Sequence, residues 1–388
     1  MTMLSFFKKP TLMDIEEIAV KRAICSVVEK KTHYGFSGHP HVRELEGKLS
    51  ERLGGLPVLG VGSGTDALIL ALRALGVGPG DEVIVPAFSF ISTVACVPWV
   101  GAKAVFVDIR RDDYAMDPGE VEKNITPKTR AVLIAHLFGQ PATGTAEILA
   151  VAKAHNLPVI EDAAQSFGAE LCIEGAWKRV GAIGTIGCLS FSSTKPFAAP
   201  GNGGAVIVQD KALYEKIDRM RFYGAREHYR DYPIAGVNCK LHDMQAAALL
   251  AKLKFFDHWL AHRTTIAASY TKMLAGVGDL VLPRELPGSR RTWYRYVVRT
   301  RQARDRLFHE LVKAAGPSPT LHPALNYPVP LPYFGMFRHL RHTPGDFPVA
   351  DEVSREVISL PITNYVSAAN ARRMGDVIRE FFARGMRS

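Results

Sequence analysis

The chain has 388 residues, of which 47% are hydrophobic and 22% are charged, with a formal net charge of +10. This is the composition of an ordinary soluble globular protein, and no apolar run approaches the length of a membrane span. The basic residues are spread along the chain without a nucleic-acid-binding module, so we expect the positive charge to attract phosphorylated small molecules, with neither nucleic acid nor a membrane as partner.

The N-terminus and the cysteines predict a cytoplasmic location. In MTMLSFFKKPTLMD the charges follow a very short apolar patch, and no small-residue cleavage site is present, so this segment does not have the pattern of a signal peptide. The five cysteines are scattered, odd in number and free of CxxC or Cys/His metal spacing. We therefore expect reduced thiols and no structural metal.

The first two-thirds of the chain alternate predicted strands and helices. Apolar runs predict strands at 81–88, 102–109, 130–138, 157–163, 187–193 and 204–210. Helical spacing predicts helices at 65–75 and 146–156. Near-continuous apolar strands separated by helices indicate an α/β fold with a mostly parallel sheet covered on both faces. In such sheets, ligands lie beyond the carboxyl ends of the strands.

The pattern changes from about residue 241. Residues 241–274 predict one long amphipathic helix, residues 317–337 form a Pro-rich irregular segment, and residues 367–385 predict a closing helix. The length of the chain suits two domains. We expect a large α/β domain over residues 1–250, with the N-terminal segment included, and a smaller α+β domain over residues 251–388.

A glycine-rich turn precedes the helix predicted at 65–75. In VGSGTDALILALRALG (61–76), Thr65 and Asp66 follow the glycines, and this arrangement presents backbone N–H groups and the positive end of the helix dipole to a phosphate. The glycines do not complete the G-x-G-x-x-G dinucleotide fingerprint. Capping of the helix by Ser63 or Thr65 is an equally good interpretation of this segment.

Two further residues could carry chemistry at the same edge of the sheet. Asp162 ends a buried strand, where a carboxylate needs a cationic partner, although capping of a following helix is the alternative. Lys195 lies in SFSSTKPFAAPGNGG (190–204), which suits an ordinary surface loop, a phosphate loop or an activated amine. Together, a phosphate turn, a strand-end aspartate and a loop lysine supply what pyridoxal 5'-phosphate requires: a phosphate site, a partner for the pyridine nitrogen and an amine for the Schiff base.

These motifs resemble those of the DegT/DnrJ/EryC1/StrS aminotransferases, fold-type I pyridoxal phosphate enzymes that act mostly on keto-sugar nucleotides. The resemblance covers nearly the whole chain and is carried by SGTDAL, DEVIVPAFSFISTV, GAKAVFVDI, EDAAQSFGA, SFSSTKPFAAPGNGG and GVNCKLHDMQAA. It implies a large domain with a mostly parallel, seven-stranded type of sheet flanked by helices, a smaller α+β C-terminal domain, and a homodimer with shared active sites.

The resemblance also implies roles for individual residues. Lys195 matches the lysine that carries the cofactor and moves protons, Asp162 the partner of the pyridine nitrogen, and Gln165 the residue that faces the phenolic oxygen. Phe90 falls where relatives stack an aromatic ring on the cofactor, with a core phenylalanine as the alternative. The cofactor-binding set is completed by Gly64, Thr65, Asp66 through its backbone, Ser190 and, from the neighbouring subunit, Asn238.

The substrate side departs from the family pattern. Lys240 lies where many relatives carry an arginine near the substrate, and it is either a substrate ligand or a solvated lysine. The sugar-binding motif is irregular, with three possible counterparts: His322, Asn326 and Tyr327. The usual GEGG is GNGG here, with Asn202 in place of the acidic residue.

The expected activity follows from these matches. A lysine instead of a histidine at position 195 favours transamination over removal of a sugar hydroxyl, and the cysteines lack the spacing of iron–sulfur relatives. We expect an aminotransferase that moves an amino group from L-glutamate to a keto group of a nucleotide-activated deoxysugar. The alternatives are the same chemistry on an aminocyclitol or another secondary-metabolite ketone, and a pyridoxal-phosphate-binding regulator without turnover.

Overall fold

The structure, a computed structural model, describes residues 12–31, 39–318 and 320–385. The interpretation of the N-terminus as lacking a signal peptide depends mainly on residues 1–11, which lie outside the described residues. The α-helices are α1 (Leu12–Glu29), α2 (Pro40–Arg52), α3 (Gly64–Ala74), α4 (Ser92–Trp99), α5 (Pro118–Lys123), α6 (Thr145–Ala154), α7 (Lys211–Met220), α8 (Asp243–Leu253), α9 (Phe256–Leu274), α10 (Arg304–Ala315), α11 (Pro348–Glu356) and α12 (Ala368–Gly385).

In the part of the chain that the structure describes, short strands form three sheets. The strands are β1 (Val58–Val61), β2 (Glu82–Pro86), β3 (Lys103–Val107), β4 (Thr129–Ala135), β5 (Val159–Asp162), β6 (Glu170–Ile173), β7 (Ala176–Arg179), β8 (Ile186–Ser190), β9 (Gly204–Val208), β10 (Ser289–Arg290), β11 (Tyr296–Arg299) and β12 (Val357–Leu360). The central sheet has seven strands in the order β1-β9-β8-β5-β4-β2-β3.

The central sheet is mostly parallel. The pairs β2–β3, β2–β4, β4–β5 and β5–β8 are parallel, whereas β9 runs antiparallel to both β1 and β8. All residues of β2, β5 and β9 are buried, which explains their near-continuous apolar sequences. The predicted α/β fold with a mostly parallel sheet is therefore confirmed, although β1 was not among the predicted strands.

Three strands end at one edge of this sheet. Asp162 ends β5 and Ser190 ends β8, which runs parallel to β5. Gly204 begins β9 opposite both Ser190 and Val61, so the end of β1 lies at the same edge. The chain then enters α3 three residues after Val61. The glycine-rich turn, the strand-end aspartate and the loop that follows β8 are thus brought together.

The prediction of one long helix over residues 241–274 is wrong. Helix α8 ends at Leu253, and the N–H of Phe255 donates to the carbonyl of Lys252 at 2.9 Å. This bond spans three residues, as in a 3₁₀ turn, whereas a bond of an α-helix spans four. Phe256, at the start of α9, stacks on Phe167 at 4.9 Å between ring centroids. Both helices bury an apolar face, so the helical spacing continues across the break and does not reveal it.

The C-terminal part of the chain packs around a second apolar core. The antiparallel pair β11–β12, which includes Ile358, lies in this core with side chains of α9, α10 and α12: Ile266, Tyr270, Leu307 and Met374. Helix α9 also contributes Trp259 to the core beside the large sheet. Because α9 belongs to both cores, the proposed division near residue 250 stays a prediction.

Three further observations bear on the class of protein. No helix within the described ranges is long and apolar enough to cross a lipid bilayer. All five cysteines are free. Among the residues that the structure describes, no group of His, Cys, Asp and Glu side chains could hold a metal ion.

Candidate active site

A cavity of about 570 Å³ lies at the edge where β1, β5 and β8 end. Nine of the residues selected from the sequence line it: Gly64, Thr65, Phe90, Asp162, Gln165, Ser190, Lys195, Asn326 and Tyr327. Asn202 of the GNGG segment lines it as well. The cavity therefore joins residues that are separated by more than 200 positions along the chain.

The carboxylate of Asp162 accepts hydrogen bonds from neutral donors. The side chain is 8% exposed, and it accepts hydrogen bonds from Thr93 Oγ1 at 2.7 Å and from the N–H of Ala164 at 3.1 Å. No lysine, arginine or histidine within the described ranges pairs with it, whereas the adjacent Glu161 pairs with His136. The residues after it form turns, so it does not cap a helix. A buried carboxylate of this kind is suited to a cationic group on a ligand.

Glu161 points to the opposite face of β5, as the alternation along a strand predicts. It is fully buried and accepts from His136 Nε2 at 3.0 Å and from three backbone N–H groups, those of Gly181, Ile183 and Gly184, at 2.8, 2.7 and 2.6 Å. Burial alone raises the pKa of Glu161, but His136 and these donors outweigh it and lower the pKa below its ordinary value. This cage fixes the strand end that carries Asp162.

The amide of Gln165 is held on both sides. Its Oε1 accepts from the N–H of Phe138 at 2.9 Å, and its Nε2 donates to the hydroxyl of Tyr327 at 3.1 Å. Burial, the largest cause, raises the pKa of Tyr327, which therefore remains a neutral phenol. Gln165 thus has a fixed orientation toward the cavity and fixes one of the candidate substrate residues.

The N-terminus of α3 combines a cap with an open face. Ser63 is the cap, since its Oγ accepts from the N–H of Asp66 at 3.0 Å and donates to the carboxylate of Asp66 at 2.9 Å. Gly64 lies against Ser190, because a Cβ at Gly64 would be 2.7 Å from the Cβ of Ser190. Thr65 Oγ1 donates to Ser92 Oγ at 3.1 Å. Ser63 therefore caps the helix through the N–H of Asp66, and Asp66 does not line the cavity. The first two residues of α3, Gly64 and Thr65, do line it.

Lys195 lies between two aromatic rings. Its Nζ is 4.8 Å from the ring centroid of Tyr294 and 5.9 Å from that of Phe90. Phe90 is 45% exposed, so the interpretation of Phe90 as a core residue is wrong. The loop is anchored where the N–H of Lys195 donates to Ser192 O at 2.9 Å and where Asn364 Nδ2 donates to Pro196 O at 3.1 Å.

Three residues around the cavity were missed from the sequence: Thr93, Tyr294 and Arg295. Burial raises the pKa of Tyr294, but the charges of Lys195 and Arg295, together with hydrogen bonding, more than offset burial and lower the pKa to about 8. In the sequence, Tyr294 and Arg295 belong to the segment GSRRTWYR, where they are recognisable only as a modest basic cluster. No spacing rule connects that segment with a lysine about 100 residues earlier.

Besides Asp66, three selected residues lie outside this cavity: Asn238, Lys240 and His322. Asn238 forms an isolated bridge with Phe222, and Lys240 Nζ lies 3.8 Å from the ring centroid of Phe222. Burial and the charge of Arg221 lower the pKa of Lys240. His322 lines a second cavity of about 390 Å³, which shares Lys195 with the first cavity.

The sequence model of the DegT/DnrJ/EryC1/StrS aminotransferase family matches residues 20–379. A protein of Geobacillus stearothermophilus named "Pleiotropic regulatory protein" is 38% identical over 344 residues, which cover 88% of this chain and 89% of that protein. The dTDP-3-amino-3,4,6-trideoxy-alpha-D-glucose transaminase of Streptomyces venezuelae is 39% identical over 326 residues, 84% of this chain and 83% of that protein.

A solved structure gives the same result for the fold. The crystal structure of DesV from S. venezuelae, in complex with a ketimine intermediate, superposes with a TM-score of 0.86 at 36% identity. The match covers 94% of each chain. The predicted fold-type I architecture is confirmed by this similarity together with the seven-stranded sheet.

Proposed function

Because the chain belongs to the DegT/DnrJ/EryC1/StrS aminotransferase family, whose members depend on pyridoxal 5'-phosphate, we propose that it transfers an amino group from L-glutamate to a keto group of a nucleotide-activated deoxysugar. One observation carries this proposal. Asp162, a buried carboxylate with no cation of the described chain against it, lines the same cavity as the amine of Lys195. A protonated pyridine nitrogen would supply the charge that the carboxylate lacks.

The residues of the cavity fit pyridoxal 5'-phosphate. Asp162 would bind the pyridine nitrogen, Gln165 the phenolic oxygen, and Lys195 the aldehyde carbon. The phosphate would lie against the N-terminus of α3 and Ser190. A side chain at position 64 would collide with Ser190, so Gly64 lets the start of α3 lie close to Ser190.

The cofactor supplies an electron sink for the bond that is broken at the amino acid's α-carbon. Asp162 would keep the proton on the pyridine nitrogen, and Thr93 holds the carboxylate in place through its 2.7 Å hydrogen bond. With the cofactor bound, the amine of Lys195 would be the base that takes the proton from the donor's α-carbon, and it would move a proton in the opposite direction when the ketone is aminated. Phe90 lines the cavity, where its ring could stack on the cofactor.

The nucleotide-sugar substrate is proposed from relatives and from charge. Two relatives are named for transamination of dTDP- or UDP-linked sugars: the Streptomyces venezuelae enzyme and an enzyme of Acidithiobacillus ferrooxidans that is 38% identical over 337 residues. A net charge of +10 attracts a diphosphate. An aminocyclitol precursor remains the alternative ketone, since the sugar-binding motif around Asn326 and Tyr327 is irregular.

We also propose a homodimer with shared sites in the cytoplasm. Asn238 lies outside the cavity of its own chain, as expected for a residue that serves a neighbouring subunit. Mixing inactive Lys195→Ala and Asn238→Ala subunits tests this, because each mixed dimer would contain one intact site. Exchange of subunits should recover about a quarter of wild-type activity. No recovery from proven mixed dimers would refute shared sites.

The free thiols support the proposed cytoplasmic location.

The test of turnover is an absorbance titration of the purified protein, loaded with pyridoxal phosphate, with L-glutamate. We expect wild type to convert to the pyridoxamine form and Lys195→Ala to remain unchanged. A protein that binds the cofactor but is not converted by glutamate or other amino acids would instead support the regulator, the function suggested by the name of one relative. Adding keto-sugar nucleotides or ketocyclitols to the pyridoxamine form then identifies the ketone, because only the substrate restores the original spectrum.

A further inference from the structure

The side chain of Arg295 lies in the wall of the candidate active site and has no anionic partner within the described ranges. Its Nε is buried and has no hydrogen-bond partner among the residues that the structure describes. Two arginines near it in sequence are paired, Arg290 with Glu170 at 2.9 Å and Arg299 with Glu356 at 3.0 Å. In the described part of the chain, no carboxylate lies within ion-pair distance of Arg295. A partly buried guanidinium without a carboxylate is suited to an anionic ligand.

Arg295 and Lys195 share one aromatic ring. The Cζ of Arg295 lies 4.9 Å from the ring centroid of Tyr294, and the Nζ of Lys195 lies 4.8 Å from the same centroid. The separation of the two cations therefore cannot exceed the sum of these short distances. Both side chains also line both cavities, the one that contains Asp162 and the second one that contains His322.

The other cations of the second cavity are already engaged. Lys252 lies 3.6 Å from the carboxylate of Glu16 and donates to a backbone carbonyl at 3.0 Å. Arg263 donates to Asn364 at 2.7 Å and to two backbone carbonyls at 3.0 Å. Of the arginines that line the two cavities, Arg295 is thus the one whose charge is available to a ligand beside Lys195.

We propose that Arg295 binds the α-carboxylate of the amino-acid donor. This assignment depends on the proposed aminotransferase function and specifies how the site recognises that substrate. The planar guanidinium can hold a carboxylate through two parallel hydrogen bonds, which would orient the donor as well as bind it.

The dimensions of an amino acid favour the donor over a nucleotide diphosphate as this anion. Only two covalent bonds of about 1.5 Å each separate the amine nitrogen of an α-amino acid from its carboxylate carbon. A donor whose amine reacts at the position of Lys195 therefore places its α-carboxylate within reach of the guanidinium of Arg295, which lies against the ring of Tyr294. The diphosphate of a sugar nucleotide is attached several bonds away from the ketone and would lie farther from Lys195.

The test compares Arg295→Met and Arg295→Lys with wild type and with Arg290→Met, a control that removes an arginine outside both cavities. Calorimetry measures the affinity of the pyridoxal form for 2-oxoglutarate, the keto acid of the donor, and for UDP as the diphosphate probe. Absorbance measures the second-order rate constant for conversion by L-glutamate and by L-alanine, which carries the α-carboxylate alone.

We expect Arg295→Met to weaken 2-oxoglutarate binding by about tenfold to a hundredfold, as for loss of a hydrogen bond to a charged group, and to slow conversion by both amino acids by similar factors. Arg295→Lys should recover part of the loss, since the charge remains but the paired geometry does not. UDP affinity, cofactor binding and thermal stability should be unchanged, and Arg290→Met should behave like wild type.

Two results would overturn the assignment. Unchanged 2-oxoglutarate affinity in Arg295→Met with weakened UDP binding would mean that Arg295 binds the diphosphate. Slower conversion by glutamate with an unchanged rate for alanine would mean that it binds the distal carboxylate. Failure of the proposed function has a different signature, because wild type itself would then fail to be converted by any amino acid.

Discussion

Replacing Glu161 by glutamine should destabilise the protein strongly, although the two side chains have nearly the same shape. One carboxylate oxygen of Glu161 accepts from Ile183 and Gly184, and the other accepts from His136 and Gly181. An amide has a single acceptor oxygen, so Glu161→Gln keeps two of these bonds and turns an NH2 group toward the other two donors. His136 cannot relieve the conflict by exchanging its proton, because its Nδ1 already accepts from the N–H of Ala142 at 3.0 Å.

The magnitude follows from the number of bonds lost. A hydrogen bond to a charged group contributes about 1.5–3 kcal/mol, and Glu161 is fully buried, so the loss of two should cost about 3–6 kcal/mol. This is a large share of the total stability of about 5–15 kcal/mol that is typical of a folded protein. The control Glu51→Gln removes an exposed carboxylate that pairs with Lys48 at 3.0 Å, and it should cost less than about 1 kcal/mol.

Urea unfolding at neutral pH with saturating pyridoxal phosphate measures both variants. The pH dependence gives a second readout, because the folded-state pKa of Glu161 is lowered from its ordinary 4.5. The stability that the ionised carboxylate contributes is present above pH 4.5 and is lost as the pH falls through the folded-state pKa. Wild type should therefore lose part of its advantage over Glu161→Gln in that acid range. A Glu161→Gln midpoint equal to that of Glu51→Gln would refute this reasoning.

Two further predictions concern the cavity itself. Thr93→Val removes the hydroxyl that donates to Asp162 and should weaken pyridoxal phosphate binding by about tenfold to a hundredfold in a fluorescence titration. Unchanged affinity would show that Asp162 needs no support from Thr93. Tyr294→Phe removes a phenol whose pKa is about 8. The rate of conversion by glutamate should therefore change with pH near 8 in wild type and not in the variant. A change near pH 8 that persists in the variant would belong to another group.

The sequence predicts the sheet well, and it places Asp162 and Lys195 at the same edge of that sheet. Continuous apolar runs predicted buried parallel strands because the central strands are covered on both faces. The local sequence determines whether a residue lies at a strand end, as Asp162 does, or in the loop after a strand, as Lys195 does. These two residues therefore line one cavity as the pattern of the chain indicates.

The features that the sequence did not predict depend on contacts between distant segments. The hydrogen bond from Thr93 to Asp162 spans 69 residues and has no local signal. Tyr294 and Arg295 reach Lys195 only because the chain before β11 returns to the central sheet, where the N–H of Arg295 donates to Phe138 O at 3.2 Å. The break between α8 and α9 is hidden for a related reason, since both helices keep an apolar face against their surroundings.

The central claim, that Lys195 carries the cofactor, is tested most directly by reduction with sodium borohydride. Reduction fixes a Schiff base between pyridoxal phosphate and a lysine as a stable secondary amine, and mass spectrometry of the digested protein then locates the modified residue. We expect the reduced pyridoxyl phosphate group on Lys195 in wild type, and we expect its loss after pretreatment with L-glutamate. Modification of another lysine, such as Lys240, with Lys195 unmodified would contradict this claim.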